Sequence, residues 1–373
     1  MAGIYIHIPF CKSRCIYCGF YSTVGLGLRQ QYVDAVCREM ELRGLPTDTD
    51  TIYLGGGTPS QLTIPQLRQL FAALPHTTTE VTIEMNPDDV TTEYAEALPL
   101  LGINRVSMGA QTFSDERLRF LHRRHTAAQV AQAVLRLRDA GIRNISVDLM
   151  YGFPGETLAD WQHDIDMVLS LGVEHLSAYC LMVEEGTVLY EQMSNEQLEM
   201  SNGEKERRNE ESAEVERQMY EVLIDRLTAA GYEHYEISNF ARPGYRSRHN
   251  SSYWNDVPYI GLGAAAHSYD GRCRQWNVSD IRRYIDSISR GEIPYEREEL
   301  DADTHYNDRI TTAMRTSDGL DLTTLADRYR RHCLREAQPF LDDGSLRLDG
   351  DRLVLTRRGL FVSDYIMSSL MLV

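Results

Sequence analysis

The chain of 373 residues is long enough for one large domain and a smaller one. Its composition, 42% hydrophobic and 25% charged, is typical of a globular protein, and no apolar run approaches the length of a membrane span. The net charge of −17 argues against general nucleic-acid binding, which needs a basic surface. The chain start lacks signal-peptide features and three of its seven cysteines cluster, so we expect a reducing, cytoplasmic setting.

Short β-prone runs alternate with helical patterns through the first half of the chain. The predicted strands are 4–8, 51–54, 81–85, 105–109, 145–150 and 175–181. The predicted helices between them are 29–43, 64–74, 91–101, 127–140 and 158–171. This alternation predicts βαβ units with a parallel sheet, and the pattern alone leaves open a doubly wound sheet or an incomplete barrel.

Three cysteines follow the first predicted strand with C-x3-C-x2-C spacing, at Cys11, Cys15 and Cys18. Thiolate is the usual ligand of iron–sulfur clusters, so this loop can hold three corners of a [4Fe–4S] cube. The next cysteine is Cys37, which leaves one iron open to another ligand. The alternative is a zinc site that lacks a ligand, although zinc sites usually combine a C-x2-C pair with a distant second pair.

Polar and glycine-rich clusters follow the later strands. Glycines 55–57 and Thr58 follow the second strand, Glu84 is at the tip of the third, Gln111 ends the fourth and Asp148 lies in the fifth. Because ligands bind at the carboxyl ends of parallel strands, we expect these residues and Arg123 to line one mouth. The alternative for the glycines is a tight turn between strand and helix.

The second half of the chain is less regular. A glutamate-rich stretch, 184–221, has a helical register after Gly203 and is predicted to be a lid or a solvated helix rather than core. The end of the chain predicts a small α+β domain with helices at 304–315, 322–329 and 358–369 and a hairpin at 345–355. We therefore divide the chain into a core, 1–240, a glycine- and aromatic-rich segment, 241–295, and a C-terminal domain, 296–373.

Together these motifs resemble the oxygen-independent coproporphyrinogen III oxidase family of radical S-adenosylmethionine (SAM) proteins. The resemblance spans essentially the whole chain and implies a partial (β/α)6 TIM-like barrel followed by a small α+β, winged-helix-like domain. It implies a [4Fe–4S] cluster on Cys11, Cys15 and Cys18 that cleaves SAM to methionine and a 5′-deoxyadenosyl radical. It also implies SAM contacts at Tyr5, Gly56, Gly57, Thr58 and Glu84, with Tyr17, Gln111, Arg123 and Asp148 at the positions that hold a second SAM in the oxidase.

The chain departs from the oxidase pattern in ways that resemble the haem chaperones of the same family. Phe20 stands where the oxidase has a further cysteine, and only ten residues precede Cys11. Residues 249–254 match the H-N-x-x-Y-W motif of those chaperones, and this match implies haem binding. The residues so implied are His249, Asn250, Tyr253 and Trp254. Histidine is a common axial haem ligand and aromatic rings can pack on a porphyrin, although a histidine beside two aromatic residues is more often core or surface filler. His267 is a second candidate ligand.

The resemblance implies a haem chaperone that delivers haem to haem-dependent respiratory proteins, with homodimerisation and contact with membrane surfaces as further expectations. The alternative is an enzyme that oxidatively decarboxylates two porphyrinogen propionates. Phe20 and the short N-terminus favour the chaperone, so we expect no coproporphyrinogen oxidase activity. Because the SAM residues are retained, the enzyme remains an alternative interpretation. A radical SAM enzyme with an unrelated substrate is a third. The sequence does not decide whether SAM is cleaved.

Overall fold

Strands and helices alternate in the first half of a computed structural model, which describes residues 3–75, 79–198 and 202–372, with side chains of 195–198 and 202–210 left undescribed. The strands are β1 (Gly3–Ile8), β2 (Thr51–Gly56), β3 (Glu80–Met85), β4 (Arg105–Gln111), β5 (Asn144–Tyr151) and β6 (His175–Cys180). The helices are α1 (Arg29–Arg43), α2 (Ile64–Ala73), α3 (Thr92–Leu100), α4 (Asp115–Phe120), α5 (Ala127–Asp139) and α6 (Leu158–Ser170). The six predicted strands and five predicted helices are confirmed, and short α4 is additional.

Strands β1 to β6 pair in parallel and in chain order. Along each strand, apolar and polar residues alternate, so that Ile4, Ile6 and Ile8 pack in the main hydrophobic core while Tyr5 and His7 point to the other face. A doubly wound sheet is apolar on both faces, because helices cover both. Here helices cover only one apolar face, and the polar face is the interior of a partial barrel.

The second half of the chain adds strands to both ends of this sheet. Its elements are α7 (Val188–Leu198), α8 (Asn202–Ala229), β7 (Glu233–Glu236), β8 (Asn239–Ala241), α9 (Arg248–Trp254), β9 (Tyr259–Leu262), β10 (His267–Tyr269), β11 (Cys273–Asn277), α10 (Ile281–Ser289) and β12 (Tyr295–Glu299). Within the described residues the order is β12-β11-β10-β9-β1-β2-β3-β4-β5-β6-β8-β7, and the two edge strands do not pair with each other. The segment 241–295 thus supplies β9 to β11, whereas β12 begins only at its last residue, and our three-part division of the chain stays a prediction.

Helix α8 corrects the prediction that the glutamate-rich stretch lies outside the core. Residues 211–215 are exposed, whereas Met219 and Tyr220 are buried in the main core together with Leu223 from the next turn. The indole Nε1 of Trp161 on α6 donates to the Met219 carbonyl oxygen at 3.0 Å. The helix is therefore solvated near residues 211–215 and packed as core further along.

The C-terminal domain has its own hydrophobic core and a three-stranded sheet. Its elements are α11 (Ala302–Ala313), β13 (Leu320–Asp321), α12 (Asp327–Asp342), β14 (Leu346–Asp349), β15 (Arg352–Leu355), α13 (Arg357–Leu360) and α14 (Ser363–Leu370). The hairpin and the first helix are confirmed. The predicted helix 322–329 is wrong, because a 3-10 turn, Leu322–Thr324, ends at the extended Leu325 before α12 begins. The predicted final helix is interrupted between α13 and α14. No helix in the described ranges is long and apolar enough to cross a membrane.

Candidate functional site

A cavity of about 580 Å³ opens at the carboxyl ends of the barrel strands. The three cysteines of the loop after β1 line it, and eight of the nine predicted SAM contacts line it with them. Those eight are Tyr17, Gly56, Gly57, Thr58, Glu84, Gln111, Arg123 and Asp148. The exception is Tyr5, whose ring lies deeper in the barrel and whose hydroxyl is 3.1 Å from Nδ1 of His7.

The cysteine loop is closed by backbone hydrogen bonds and leaves its thiols free. The Cys11 amide donates to the Thr23 carbonyl at 2.9 Å, and the Thr23 amide donates to the Pro9 carbonyl at 2.7 Å. Cys11 Sγ lies 3.5 Å from Thr58 Oγ1, and Cys15 Sγ accepts from Arg123 Nη1 at 3.6 Å. Three free thiols arranged around one cavity fit a four-iron cluster, because each thiolate of such a cluster binds a separate iron.

The triple glycine packs directly against β1. The Gly57 amide donates to the Ile8 carbonyl at 2.9 Å, and a Cβ at Gly57 would lie 2.8 Å from that oxygen. Gly56 has φ +105°, and its Cβ would lie 2.4 Å from the His7 ring. Both glycines are therefore needed for the turn itself, while the same residues also line the cavity.

Glu84 presents a carboxylate to the cavity from the end of β3. Its oxygens accept hydrogen bonds from the Tyr53 hydroxyl at 2.8 Å and the Gly56 amide at 3.1 Å. Burial raises the pKa of Glu84 to about 7, against the lowering effect of the Tyr53 hydrogen bond. A cationic ligand in the cavity favours the ionised carboxylate, so this site is suited to an ammonium group.

The remaining polar groups of the cavity come from β4, β5 and the segment after α4. Arg123 donates through Nη2 to the Gly109 carbonyl and, at 2.9 Å, to Asn86 Oδ1. Gln111 has φ +67°, an unusual value for a side-chain-bearing residue, at a shift in strand register. Burial raises the pKa of Asp148, whose carboxylate accepts from Ser107 Oγ at 3.3 Å.

Sequence reasoning missed Arg105, which is buried inside the barrel. Only 1% of its surface is exposed, and its Nε and Nη1 have no hydrogen-bond partner among the described residues. It lies on the same face of β4 as Ser107, one repeat nearer the strand start. The guanidinium favours the ionised forms of Glu84 and Asp148. The signal that could have identified it is an arginine on the same face of the predicted strand as Ser107, the face that alternates with the apolar residues.

Comparison with known proteins places the chain in a family. The Radical SAM superfamily model matches residues 5–168, and the HemN C-terminal domain model matches residues 300–362. The haem chaperone HemW of Bacillus subtilis is 36% identical over 89% of this chain and 88% of its own length. HemW of Mycobacterium tuberculosis is 34% identical over 99% of this chain and 94% of its own. The chain belongs to the HemW family. As a radical SAM family, HemW implies a [4Fe–4S] cluster and SAM.

The solved structures agree on the fold of this HemW family member. Coproporphyrinogen III oxidase (HemN) from Escherichia coli, described as a radical SAM enzyme, superimposes with a TM-score of 0.82. The match covers 99% of this chain and 90% of that one at 22% sequence identity. Such a likeness confirms the partial barrel and the C-terminal domain.

The residues that match the HemW motif lie away from the cysteine cavity. His249 is 1% exposed, and its Nδ1 and Nε2 lie 2.8 Å from Thr51 Oγ1 and Tyr253 Oη respectively. Thr51 is the first residue of β2, so this histidine is at the opposite end of the barrel from the cavity. Burial lowers the pKa of His249 to about 3, so the ring is neutral.

The other three residues of the motif lie on α9 with His249. Tyr253 makes an edge contact with Tyr259 at 4.6 Å, Trp254 lies 6.0 Å from Tyr235, and Asn250 is half-buried. The second candidate, His267, differs from His249 because it is exposed. Its ring stacks on Trp276 at 6.1 Å, and its nitrogens have no hydrogen-bond partner in the part of the chain that the structure describes.

Proposed function

We propose that this protein is a haem chaperone that binds haem and delivers it to haem-dependent proteins while carrying a SAM-binding [4Fe–4S] cluster. The observation that carries the proposal is the similarity to proteins named haem chaperone HemW over 99% of the chain. The cavity at the carboxyl ends of the barrel strands supports it, because free thiols and a buried carboxylate line the same space.

Within the proposal, Cys11, Cys15 and Cys18 hold the cluster. When bound, the cluster and SAM supply one-electron cleavage of a carbon–sulfur bond. The protein side chains bind and orient: Arg123 donates a hydrogen bond to Cys15 Sγ and so fixes the position of that sulfur. The hydrogen bond between Thr58 Oγ1 and Cys11 Sγ holds that sulfur at the cavity wall.

SAM binds in the same cavity in this proposal. Glu84 accepts a hydrogen bond from the ammonium group of the methionyl part, and the glycine loop allows close approach of the ligand to the backbone. The resemblance implies further contacts with SAM, and Tyr5 supports them from the barrel interior. These contacts are Tyr17, Gly56, Gly57, Thr58, Gln111, Arg123 and Asp148. The carboxylates of Glu84 and Asp148 attract a cationic ligand such as SAM electrostatically.

Haem binds at the segment containing His249, Asn250, Tyr253 and Trp254. Axial ligation by His249 requires one ring nitrogen to be released from Thr51 or from Tyr253. His267 needs no such release, so it is the site to test next. We further propose haem-dependent apoproteins as recipients, together with a homodimer and contact with membrane surfaces, which the family resemblance implies. We also propose a cytoplasmic location, which is consistent with the clustered free cysteines.

The alternative function, coproporphyrinogen III oxidase, is disfavoured. The superposition on HemN at 22% identity supports a common fold, and Phe20 replaces the further cysteine of the oxidase pattern. Phe20 is 70% exposed at the rim of the cavity, so it offers an apolar side chain where the oxidase has a thiol.

One experiment separates the two functions. The protein, reconstituted anaerobically with its cluster, is offered coproporphyrinogen III with SAM and a reductant, and haem is titrated into a parallel sample. We expect haem binding of one equivalent per chain with no decarboxylation. Formation of protoporphyrinogen would overturn the chaperone proposal. His249→Ala and His267→Ala then identify the ligand from the haem absorption spectrum, with His163→Ala as an exposed control.

A further inference from the structure

Three aromatic rings stack inside the barrel between its base and the cavity. The His249 ring lies 5.0 Å from the Tyr53 ring with an angle of 24° between their planes. Tyr5 completes the group at 6.2 Å from Tyr53 and 6.5 Å from His249. Tyr5 and Tyr53 are neighbours on β1 and β2 on the interior face of the sheet. His249 therefore supports the side of the Tyr53 ring.

Tyr53 connects this stack to the cavity. Its hydroxyl donates to Glu84 Oε1 at 2.8 Å, and Glu84 lines the cavity. A Cβ at Gly55 would lie 2.8 Å from the Tyr53 ring and 3.0 Å from Glu84 Oε1, so glycine leaves the space in which the two side chains meet. One ring contact and one hydrogen bond thus separate His249 from the cavity carboxylate.

His249 is itself held in place at several points. Its two ring nitrogens are engaged by Thr51 and Tyr253, and its backbone amide donates to the buried Glu80 carboxylate at 3.0 Å. A ring that is fully buried and bonded at both nitrogens cannot turn without losing hydrogen bonds. The histidine is therefore a fixed support for the Tyr53 ring.

We propose that His249 is a positioning residue of the SAM site, which holds Tyr53 so that its hydroxyl orients the Glu84 carboxylate. The inference rests on the proposed contact between Glu84 and SAM. It gives the haem motif a second role that does not depend on haem. It also couples the two ligands: if His249 leaves the stack to bind iron, Tyr53 loses its support and SAM binding weakens, and the effect is reciprocal.

The pH dependence of SAM binding should change when Tyr53 is displaced, because Tyr53 is hydrogen-bonded to Glu84. Its hydrogen bond stabilises the ionised form of Glu84, and ionised Glu84 is the form that binds an ammonium group, so SAM affinity rises with pH through about 7. Loss of the hydrogen bond raises the pKa of Glu84 further and moves the profile to higher pH. The titratable and charged groups that face Glu84 are Tyr5, Tyr53, Arg105, Asp148, Tyr179 and Tyr253.

The test measures SAM affinity in the haem-free, cluster-reconstituted protein without a reductant, so that SAM is not cleaved, from the change in the absorption spectrum of the cluster during a SAM titration. Tyr53→Phe keeps the ring and removes the hydroxyl, and His249→Ala removes the support. We expect both variants to bind SAM about tenfold more weakly, with profiles shifted to higher pH. His249→Phe restores a stacking ring, so we expect it to recover most of the affinity.

His175 provides a matched control. It is also fully buried, and its Nδ1 and Nε2 lie 2.8 Å and 2.6 Å from the hydroxyls of Ser146 and Tyr235. Its aromatic partner is Tyr235 rather than Tyr53. His175→Ala creates a similar void, and we expect it to leave SAM affinity and its pH profile unchanged.

The outcomes separate this inference from the proposed function. If the unmodified protein shows no spectral response to SAM, the proposed function fails. If it responds and His249→Ala keeps both the affinity and the pH profile, the inference is wrong. An equal loss in His175→Ala would also overturn it, because the effect would then be a general one of packing. If His249→Ala does not fold, Thr51→Val removes one hydrogen bond from the ring, and about threefold weaker SAM binding is expected.

Discussion

The two ends of the barrel interior are both polar, but they are built differently. At the mouth, three thiols are free and the Glu84 carboxylate lies beside an open cavity. At the base, Glu80 accepts from the backbone amides of Arg248 and His249, and Thr51 engages the His249 ring. Glu80, Thr51 and His249 satisfy one another at the base, whereas the thiols at the mouth leave bonding capacity for ligands. Polarity alone therefore does not mark a binding site inside a barrel, whereas unused bonding capacity beside an open cavity does.

Loss of a thiol at the mouth is the largest effect we expect. Cys15→Ala removes one of the three proposed cluster ligands, and the remaining two thiols cannot hold three corners of the cube, so the four-iron species is lost. Iron and sulfide content of the anaerobically reconstituted protein measures this. Cys37→Ala is the control, because Cys37 lies on α1 outside the cavity lining. A Cys15→Ala variant that retains a full four-iron cluster would contradict the assignment.

Two glutamates on β3 give the most direct test of the difference between base and mouth. Glu80→Ala leaves the buried amides of Arg248 and His249 without their acceptor, and we expect a loss of about 3 kcal/mol in the free energy of unfolding. Glu84→Ala also removes the acceptor of the Tyr53 hydroxyl and the Gly56 amide, but the vacated space joins the cavity, where water can replace the carboxylate, so we expect a smaller cost. Urea unfolding of both variants at neutral pH measures the difference. Equal costs would remove the distinction between the two ends.

The alternation of strands and helices in the first half of the chain could be predicted from the sequence, because each element is long enough to show its hydrophobic period. The barrel could also have been predicted from the strands: Tyr5 and His7 alternate with isoleucines in β1, as Thr82 and Glu84 alternate with Val81 and Ile83 in β3. Two apolar faces would have been needed for a doubly wound sheet. Strands β7 to β12 were not predicted because they have only three to five residues and depend on pairing with the sheet edges.

The misassigned helices have identifiable causes. In α8, the many glutamates suggested a solvated helix, although Met219, Leu223 and Leu227 recur every four residues and are buried. In α12, Cys333 and Ala337 continue the four-residue spacing begun by Tyr329, and this spacing could have extended the predicted helix beyond residue 329.

The cavity residues were predictable because the ends of parallel strands meet at one edge of the sheet. Tyr53 was not identified because it lies inside a strand, where its role depends on what is stacked against it. The partners His249 and Thr51 are 198 residues apart, and no local pattern indicates that pairing. The chemistry of the motif residues could therefore be proposed from the sequence, but their position at the base of the barrel could not.

The last effect we expect is a pH dependence of stability that arises from Glu84 at the mouth. Burial raises the pKa of Glu84 to about 7 in the folded protein, above the ordinary value of 4.5. Between these values the folded state binds more protons at this group than the unfolded state, so its contribution to stability falls as pH rises from about 4.5 to about 7. Glu84→Gln removes the ionisation. Relative to the unmodified, ligand-free protein, this variant is expected to become progressively more stable across that interval.

Urea unfolding at closely spaced pH values measures this difference, and taking the difference between the two proteins cancels other titrating groups such as Glu156. SAM should reverse the effect, because a bound ammonium group favours the ionised Glu84 and stabilises the unmodified protein at high pH. A difference that is independent of pH would show that Glu84 ionises normally. The mouth would then resemble the base, with its carboxylate already satisfied by Tyr53 and Gly56 before any ligand binds.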